Sequence, residues 1–293
     1  MFVLGISGGI RSGHHDAAAV LYQDGKLLAA AEEERFLRIK HCEGRLPESA
    51  IRFCLAQAGI TLREVDFLAY GYATVPGMEK RLQDFFQLKF GFCPHVKQVR
   101  HYLAHAASAY RVSGFSDAMI LSADVSGDSV STLLSHGKDT TLRIVKSIAR
   151  PNSLGIFYSM LTQILGFQRD NDEYKVMGLA SYGKQEIDLS WLLQFGHGEY
   201  RLRHEDYMIP VGGNQAFPSK QEGIYSDRLV ERLGPPRLKE EPLAQRHMDL
   251  AYSAQKTLER AVVDLVTWLH EQTGSRNLCI AGGVGLNCVM NQR

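Results

Sequence analysis

The sequence predicts an α/β fold built from two similar subdomains, each with a mixed sheet flanked by helices. Residues 1–34 and 118–148 share one plan, namely strand, Gly-containing polar turn, strand, short turn and strand. Such a repeat indicates an internal duplication, with the ligand expected in an interdomain cleft. We predict an N-terminal subdomain over 1–115 and a second subdomain over 116–293, with a loop-rich insertion at 185–245.

Local patterns define the elements of the first subdomain. Met1–Ile6 is a short apolar run and predicts a buried strand. Asp24-Gly25 lies between two further strand-like runs, which is typical of a hairpin with a type I′ turn. Pro47 in the first turn and Gly59 after the last apolar position are typical bounds of a helix.

The second subdomain repeats this opening and then adds longer elements. Three apolar runs within 118–148 predict three strands. A stripe of apolar residues over 248–271 predicts a long amphipathic helix, and 277–281 predicts another strand. The stretch 185–245 is rich in Gly, Pro and charge, so we expect loops that lie outside the core.

The bulk properties indicate a globular protein without a polyelectrolyte partner. The 293 residues are 45% hydrophobic and 22% charged, and the net charge is +1. This near-neutral charge argues against binding to nucleic acid or to a membrane surface. No apolar run approaches the roughly 20 residues that span a bilayer. The five cysteines are scattered, without C-x-x-C pairs, so we expect neither disulfides nor zinc-thiolate sites and predict a cytoplasmic protein.

A candidate metal site begins in the segment RHYLAHAASAY. It places His101 and His105 four residues apart in a predicted helix. This spacing puts both imidazoles on one face, where they can bind a single transition metal. Asp124 follows the next apolar run and completes a set of two histidines and one carboxylate. The spacing by itself also fits two half-exposed histidines without a metal, which is the commoner case.

Three glycine-rich stretches, SGGIRSG, VSGDS and GGVGLN, are candidate phosphate-binding turns. Glycines let a backbone approach a ligand closely, and successive N–H groups favour an anion. A single glycine-rich stretch of this kind more often serves the geometry of a turn than it binds phosphate. Together, two acid-bearing turns from duplicated units and a strand–GG–helix transition have the layout of the actin-like, sugar-kinase-like (ribonuclease H-like) ATPase superfamily.

Five blocks carry a closer resemblance: HHDAAAVLYQDGKLLAAAEEERFLRIKH, HYLAHAASAY, SLGIFYSMLTQILGF, KVMGLASYG and AGGVGLNCVMN. In this order they resemble the O-carbamoyltransferases of nodulation-factor and antibiotic biosynthesis, over nearly the whole chain and least at 185–245. The resemblance implies an actin-like domain with a mononuclear metal site, related to the tRNA threonylcarbamoyl transferases. It also implies that a separate domain makes carbamoyl-adenylate from carbamoyl phosphate and ATP. The carbamoyl group then passes to a hydroxyl of a sugar or other small natural product.

The resemblance also implies roles for particular residues. His101, His105 and Asp124 match the metal ligands, and two histidines with one carboxylate favour iron, while manganese or zinc would be tolerated. His15 matches the active-site histidine beside the carbamoyl-adenylate, either as a base or as an orienting group. The residues that match the nucleotide and phosphate positions are Lys40, Gly127, Asp128, Lys175, Gly178, Gly282, Gly283 and Asn287.

Two departures from the family pattern qualify this interpretation. Val125 stands where the family commonly has glycine, so we expect a less close backbone approach after Asp124. The family's further aspartate ligand and its adenylate-forming domain lie beyond Arg293, so we expect a C-terminally truncated chain with three protein ligands for the metal. Two alternatives stay open, a tRNA threonylcarbamoyl-transfer-like protein and a non-catalytic nucleotide-binding fragment. The resemblance allows a homodimer.

Overall fold

A computed structural model of the protein describes residues 1–9, 15–209 and 223–293. The predicted first glycine-rich turn falls partly within 10–14, and the predicted insertion falls partly within 210–222. These two stretches lie outside the described residues, so the predictions made for them stay predictions.

The chain divides into two compact units, Met1–Ala104 and His105–Arg293. The division falls inside one continuous helix, His101–Arg111. A division within a helix does not mark a linker, so the domain boundary between 115 and 116 stays a prediction.

A five-stranded mixed sheet organises the first unit. Its strands are β1 (Phe2–Ile6), β2 (Ala18–Gln23), β3 (Lys26–Glu32), β4 (Phe67–Tyr70) and β5 (His95–Gln98). The strand order is β3-β2-β1-β4-β5. Neighbours among β1, β2 and β3 are antiparallel, whereas β4 and β5 join in parallel. The β2–β3 turn is the predicted type I′ hairpin, because Asp24 and Gly25 have φ angles of 49° and 80°.

Helices cover this sheet and close the core of the first unit. They are α1 (Glu34–Leu37), α2 (Glu48–Ala58), α3 (Met78–Phe90) and the beginning of α4 (His101–Arg111). The carboxylate of buried Glu33 accepts hydrogen bonds from the backbone N–H groups of Ser49 and Ala50, at 3.0 and 2.8 Å, and so caps α2. As predicted, α2 ends at Gly59, which has a left-handed φ of 65°.

The second unit repeats the sheet plan of the first. Its strands are β6 (Asp117–Gly127), β7 (Val130–Lys138), β8 (Thr141–Ala149), β9 (Leu193–Gly196), β10 (Glu199–Leu202) and β11 (Leu278–Ala281). Four of them form a sheet in the order β11-β6-β7-β8, and β9 and β10 form a separate hairpin. Strand β11 joins β6 in parallel, while β6, β7 and β8 are antiparallel. The order matches β4-β1-β2-β3, which confirms the predicted duplication and the α/β class.

Two helices form the centre of the second unit. Its helices are α5 (Leu154–Ile164), α6 (Glu173–Leu179), α7 (His204–Tyr207), α8 (Asp227–Leu233), α9 (Gln245–Thr273) and α10 (Cys288–Asn291). Every residue of α5 except Gln163 is buried. Helix α9 buries the predicted apolar stripe and ends at Gly274, with a left-handed φ of 68°. Among the described residues, no helix is long and apolar enough to cross a membrane.

The expectation that 185–245 lies outside the core is wrong for its described part. Side chains from this stretch belong to the core of the second unit, among them Leu189, Leu192, Leu193, Tyr200 and Leu202. Gly198 turns the β9–β10 hairpin at φ 70° and lies so close to Trp268 that a Cβ there would be 2.3 Å from the indole ring. Short strands divided by Gly and charge give little periodicity, which hid this packing.

Candidate metal centre and active-site residues

Helix α4 and strand β6 bring together the three residues predicted as metal ligands. His101 and His105 are one helical turn apart on α4, as predicted. Ligand atoms of these two histidines and Asp124 lie within 4.8 Å of one another, and all three residues are half-buried. The Nε2 atom of His105 is 3.2 Å from Oδ2 of Asp124. We call these three residues the helix–strand group.

Neighbouring groups fix the orientation of His101 and Asp124 in the helix–strand group. The Nδ1 of His101 is 3.2 Å from the carbonyl oxygen of Gly71, and its ring stacks on Tyr72 at 4.5 Å. Because a carbonyl only accepts, this Nδ1 carries the proton and Nε2 keeps a lone pair. Asp124 accepts the backbone N–H of Val125 through Oδ1 at 2.7 Å, so Oδ2 is the oxygen turned to the histidine.

A bulge in β6 determines where Asp124 lies. The β6–β7 pairing shifts register between Ala123 and Gly127, so Asp124 lies in an irregular stretch of the strand. The hydroxyl of Ser153, the N-cap residue of α5, donates to the carbonyl of Asp124 at 2.9 Å. Bulges often re-aim a side chain, and this one holds the aspartate against the start of α5.

Three glycines permit close packing around this bulge. A Cβ on Gly282, which has φ 85°, would lie 2.3 Å from the carbonyl oxygen of Ala123, and one on Gly283 would lie 3.1 Å from Oδ1 of Asp124. A Cβ on Gly155 would lie 2.7 Å from the backbone nitrogen of Val125. Gly155 on α5 packs closely against Val125, and the looser backbone approach expected after Asp124 stays a prediction.

The donor set of the helix–strand group fits a divalent metal ion. Two ligands that are each about 2.1 Å from one ion lie roughly 3.0–3.4 Å apart at octahedral or tetrahedral angles. The 3.2 Å separation between His105 and Asp124 falls in this range. Two imidazoles and one carboxylate suit iron, manganese or zinc alike. The three residues would leave coordination positions open for a small ligand.

A second group with the same composition lies in the first unit. The Nδ1 of His15 is 2.5 Å from Oδ2 of Asp16, and the Nδ1 of His41 is 2.8 Å from Oδ1 of the same carboxylate. The two rings meet edge to face with centroids 6.0 Å apart. We call His15, Asp16 and His41 the loop group. Burial opposes ionisation of Asp16, but the hydrogen bonds from both histidines outweigh it and lower the pKa of the carboxyl to about 2.

Backbone contacts bring the two segments of the loop group together. Asp16 and His41 both have left-handed φ angles, 58° and 64°. The backbone N–H of Asp16 donates to the carbonyl of His41 at 2.7 Å, and the hydroxyl of Ser7 donates to the carbonyl of Asp16 at 2.7 Å. The backbone N–H of His41 donates to Glu34 at 3.0 Å. Left-handed residues of this kind are costly unless their surroundings require them, and they concentrate at functional sites.

The remaining predicted phosphate-site residues are spread over several elements. Lys40 is exposed and begins the short 3-10 helix Lys40–Cys42, directly before His41. Gly127 is the last residue of β6 and pairs with Val130. Asp128 occupies the two-residue hairpin turn with φ 49°. The second predicted turn is thus a tight hairpin, shorter than the sequence indicated.

The nucleotide-side candidates lie on three elements of the second unit. Lys175 and Gly178 are exposed on α6, where the ammonium of Lys175 is 2.9 Å from Asp172. That hydrogen bond raises the pKa of Lys175. Asn287 caps α10 by accepting the N–H of Met290 at 2.9 Å, and its amide nitrogen donates to Gln255 at 2.8 Å. Asn287 therefore has a structural role irrespective of any contact with a nucleotide.

Neither Asp16 nor His41 was among the predicted site residues, although both lie inside quoted blocks. Their positions could have pointed to them, because each directly follows a predicted site residue. Asp16 follows His15, and His41 follows Lys40. Periodicity could not predict the contact between Asp16 and His41, because the two residues are distant in sequence and both adopt left-handed backbone angles.

Solved structures of the same fold class extend over the whole chain. Component A of (R)-2-hydroxyglutaryl-CoA dehydratase from Acidaminococcus fermentans aligns with a TM-score of 0.52 at 11% identity, covering 100% of this chain and 86% of that chain. The activator of 2-hydroxyisocaproyl-CoA dehydratase from Clostridium difficile gives 0.51 at 11% identity, covering 100% and 84%. At such identity the likeness shows the fold alone, which is the predicted actin-like class.

Sequence comparison defines the family. The profile described as carbamoyltransferase N-terminus matches residues 6–75 and 69–293, and the chain belongs to this family. Nodulation protein NolNO of Sinorhizobium fredii is 35% identical over 328 residues, which cover 99% of this chain and 45% of the relative. The uncharacterized protein sll1178 of Synechocystis is 34% identical over 328 residues, with coverage of 97% and 51%. The chain thus spans about half the length of these relatives.

Proposed function

We propose that the protein transfers a carbamoyl group from carbamoyl-adenylate to a hydroxyl of a sugar or other small natural product. The observation that carries this proposal is the helix–strand group: two histidines and an aspartate at ligand spacing, packed against the glycine pair Gly282-Gly283. Membership of the carbamoyltransferase N-terminus family supplies the class of group transferred. The acceptor and the adenylate donor are parts of the proposal.

In the proposed reaction, the acceptor oxygen attacks the carbamoyl carbon and the bond from that carbon to the phosphate oxygen of AMP breaks. The hydroxyl proton passes to His15, and AMP leaves with the electron pair of the broken bond. A positioned general base of this type accelerates a reaction by roughly 10²–10⁴-fold. His15 is 41% exposed, so its ring is accessible to a substrate hydroxyl.

The helix–strand group binds the charged part of the donor in this proposal. His101, His105 and Asp124 would hold a divalent metal, which when bound supplies Lewis-acid stabilisation of negative charge on phosphate. Iron is the metal we favour, with manganese or zinc as alternatives. The Gly71 carbonyl and the Ser153 hydroxyl orient His101 and Asp124, respectively.

Backbone and side-chain groups of the second unit provide the proposed nucleotide site. The close-packed Gly282-Gly283 turn offers backbone N–H groups after β11, and exposed Lys175 adds a positive charge. Gly178 is open to solvent, since nothing lies within 4 Å of the position of an added Cβ. One solved structure of the same fold contains bound ADPNP, which supports a nucleotide-binding role for this fold.

The test uses preformed carbamoyl-adenylate and a panel of small sugars and other hydroxyl compounds, with AMP release and carbamoylated product measured together. We expect product with at least one acceptor, and we expect His15→Ala to lower its rate roughly 10²–10⁴-fold while the chain still folds. His136→Ala is the matched control, because His136 pairs with Asp117 at 2.8 Å outside both groups.

Three outcomes separate the competing functions. Product formation that requires His15 supports the proposal. Salt-sensitive tRNA binding with transfer to tRNA instead of small hydroxyls would replace it with a threonylcarbamoyl-transfer-like function. Calorimetric titration without heat for AMP or ATP, together with no product, would overturn it in favour of a non-catalytic fragment.

A further inference from the structure

We propose that Asp16 is a positioning residue, held by His41, which orients His15 so that Nε2 of His15 accepts the proton of the acceptor hydroxyl. That this proton comes from an acceptor hydroxyl rests on the proposed function. The arrangement of the three side chains can be tested without that function. The juxtaposition comes from two segments of the first unit, the loop before β2 and the 3-10 helix Lys40–Cys42.

The distances fit hydrogen bonds from both imidazoles to the carboxylate of Asp16. Its oxygens lie 2.5 Å from Nδ1 of His15 and 2.8 Å from Nδ1 of His41. Both separations are shorter than the roughly 3.0–3.4 Å expected between two ligands of one ion. Both fit charge-assisted hydrogen bonds. We therefore treat the loop group as a hydrogen-bonded group in this proposal.

The charge of Asp16 determines which nitrogen of each ring carries a proton. An ionised carboxylate can only accept hydrogen bonds, and the pKa of Asp16 is lowered to about 2. At neutral pH both Nδ1 atoms must therefore donate. In a neutral imidazole the remaining nitrogen, Nε2, then has the lone pair, and this is the form of His15 that a general base requires.

His41 holds the carboxylate in place. Its side chain is 26% exposed, compared with 58% for Asp16 and 41% for His15. The backbone of His41 is tied on both sides, by its N–H to Glu34 at 3.0 Å and by its carbonyl to the N–H of Asp16 at 2.7 Å. One carboxylate oxygen thus bonds an anchored ring, and the other orients the more accessible ring. This is the base-plus-orienting-group arrangement of many enzymes that use histidine.

The first experiment reads the tautomers directly. Nitrogen-15 NMR of histidine-labelled full chain, with His15→Gln and His41→Gln for assignment, should show both rings protonated at Nδ1. Asp16→Asn keeps the left-handed backbone accessible, because asparagine adopts that region readily. Its amide has one accepting oxygen and one donating nitrogen, so one of the two rings must exchange its tautomer. Unchanged spectra in Asp16→Asn would overturn the proposal.

The second experiment separates positioning from a structural role. With carbamoyl-adenylate and an active acceptor, Asp16→Asn should lower kcat roughly 10- to 100-fold, within the range that a general base contributes, and change KM less than twofold. In the His15→Ala background the same substitution should have no further effect on kcat. Asp139→Asn is the control, because Asp139 is another left-handed aspartate, φ 50°, in a hairpin turn.

Two results would overturn the inference on kinetic or chemical grounds. An equal loss of kcat from Asp16→Asn with and without His15 would show that Asp16 does not act through that histidine. Loss of a stoichiometric metal from His41→Gln would show that the loop group is a metal site. Tautomers as proposed without any carbamoyl transfer would leave the arrangement standing and overturn the proposed function alone.

Discussion

The helix–strand group and the loop group each contain two histidines and one aspartate, and yet we propose different chemistry for them. In the helix–strand group, His105 and Asp124 are 3.2 Å apart, half-buried, on a helix and a strand bulge. In the loop group, Asp16 lies within hydrogen-bond distance of two histidines and is 58% exposed. The two groups thus share a composition and differ in the separation of their side chains and in their backbone support.

The difference shows what decides between a ligand and a hydrogen-bond partner. Asp124 satisfies one oxygen locally through the N–H of Val125 and turns the other to His105. Asp16 uses one oxygen for each imidazole. We propose that an ion binds at Asp124, where one oxygen is bonded within the strand, and not at Asp16, where both oxygens meet imidazoles.

The largest effect is expected at Gly282, which supports the helix–strand group. Gly282→Ala places a Cβ 2.3 Å from the carbonyl oxygen of Ala123 and forces alanine to φ 85°. Strain and overpacking together should lower the free energy of unfolding by about 2–5 kcal/mol. Urea denaturation measures this change, and the nitrogen-15 tautomer pattern of His15 and His41 should persist below the transition.

Two milder glycine variants sharpen the same comparison. Gly283→Ala meets Oδ1 of Asp124 at 3.1 Å, so it should displace that carboxylate slightly and weaken metal binding roughly 10-fold.

Gly178→Ala meets nothing within 4 Å on α6 and should be neutral or stabilise by up to about 1 kcal/mol. If Gly178→Ala destabilised the chain more than Gly282→Ala, the packing argument around β6 would be wrong.

The smallest effect is the acid titration of Asp16 in the loop group. Its pKa is lowered from 3.8 to about 2, so the unfolded chain binds more protons between these values. The stability that Asp16 contributes is therefore complete above pH 3.8 and is lost as the pH falls to about 2. Carbon-13 NMR of the carboxyl should give a midpoint near 2, which His41→Gln raises. A midpoint that stays the same in His41→Gln would remove His41 from the group.

Much of the fold could be predicted because it depends on local patterns. Asp24-Gly25 specified a hairpin, Gly59 and Gly274 specified helix ends, and the repeat of strand and turn specified two similar sheets. The pairing of His101 with His105 was equally local, since helical periodicity alone puts them on one face. Asp124 was predicted from its position after an apolar run and then from the family resemblance, whereas the β6 bulge that aims it was not foreseeable from periodicity.

The loop group and the insertion could not be predicted for physical reasons. His41 meets Asp16 because both residues adopt left-handed angles that sequence patterns rarely specify for aspartate and histidine. The core residues at 189–202 lie on two short strands and in the turn before them, and their pattern is interrupted by Gly196 and Gly198. In both places, contacts distant in sequence determine the structure.

The metal content of four proteins tests the central difference most directly. Wild type, His105→Ala and His41→Gln would be loaded with ferrous, manganous or zinc ion, desalted and analysed by plasma mass spectrometry, with His136→Ala as the control. We predict about one ion per chain in wild type, His41→Gln and His136→Ala, and almost none in His105→Ala. An ion retained in His105→Ala and lost in His41→Gln would contradict the assignment of the two groups.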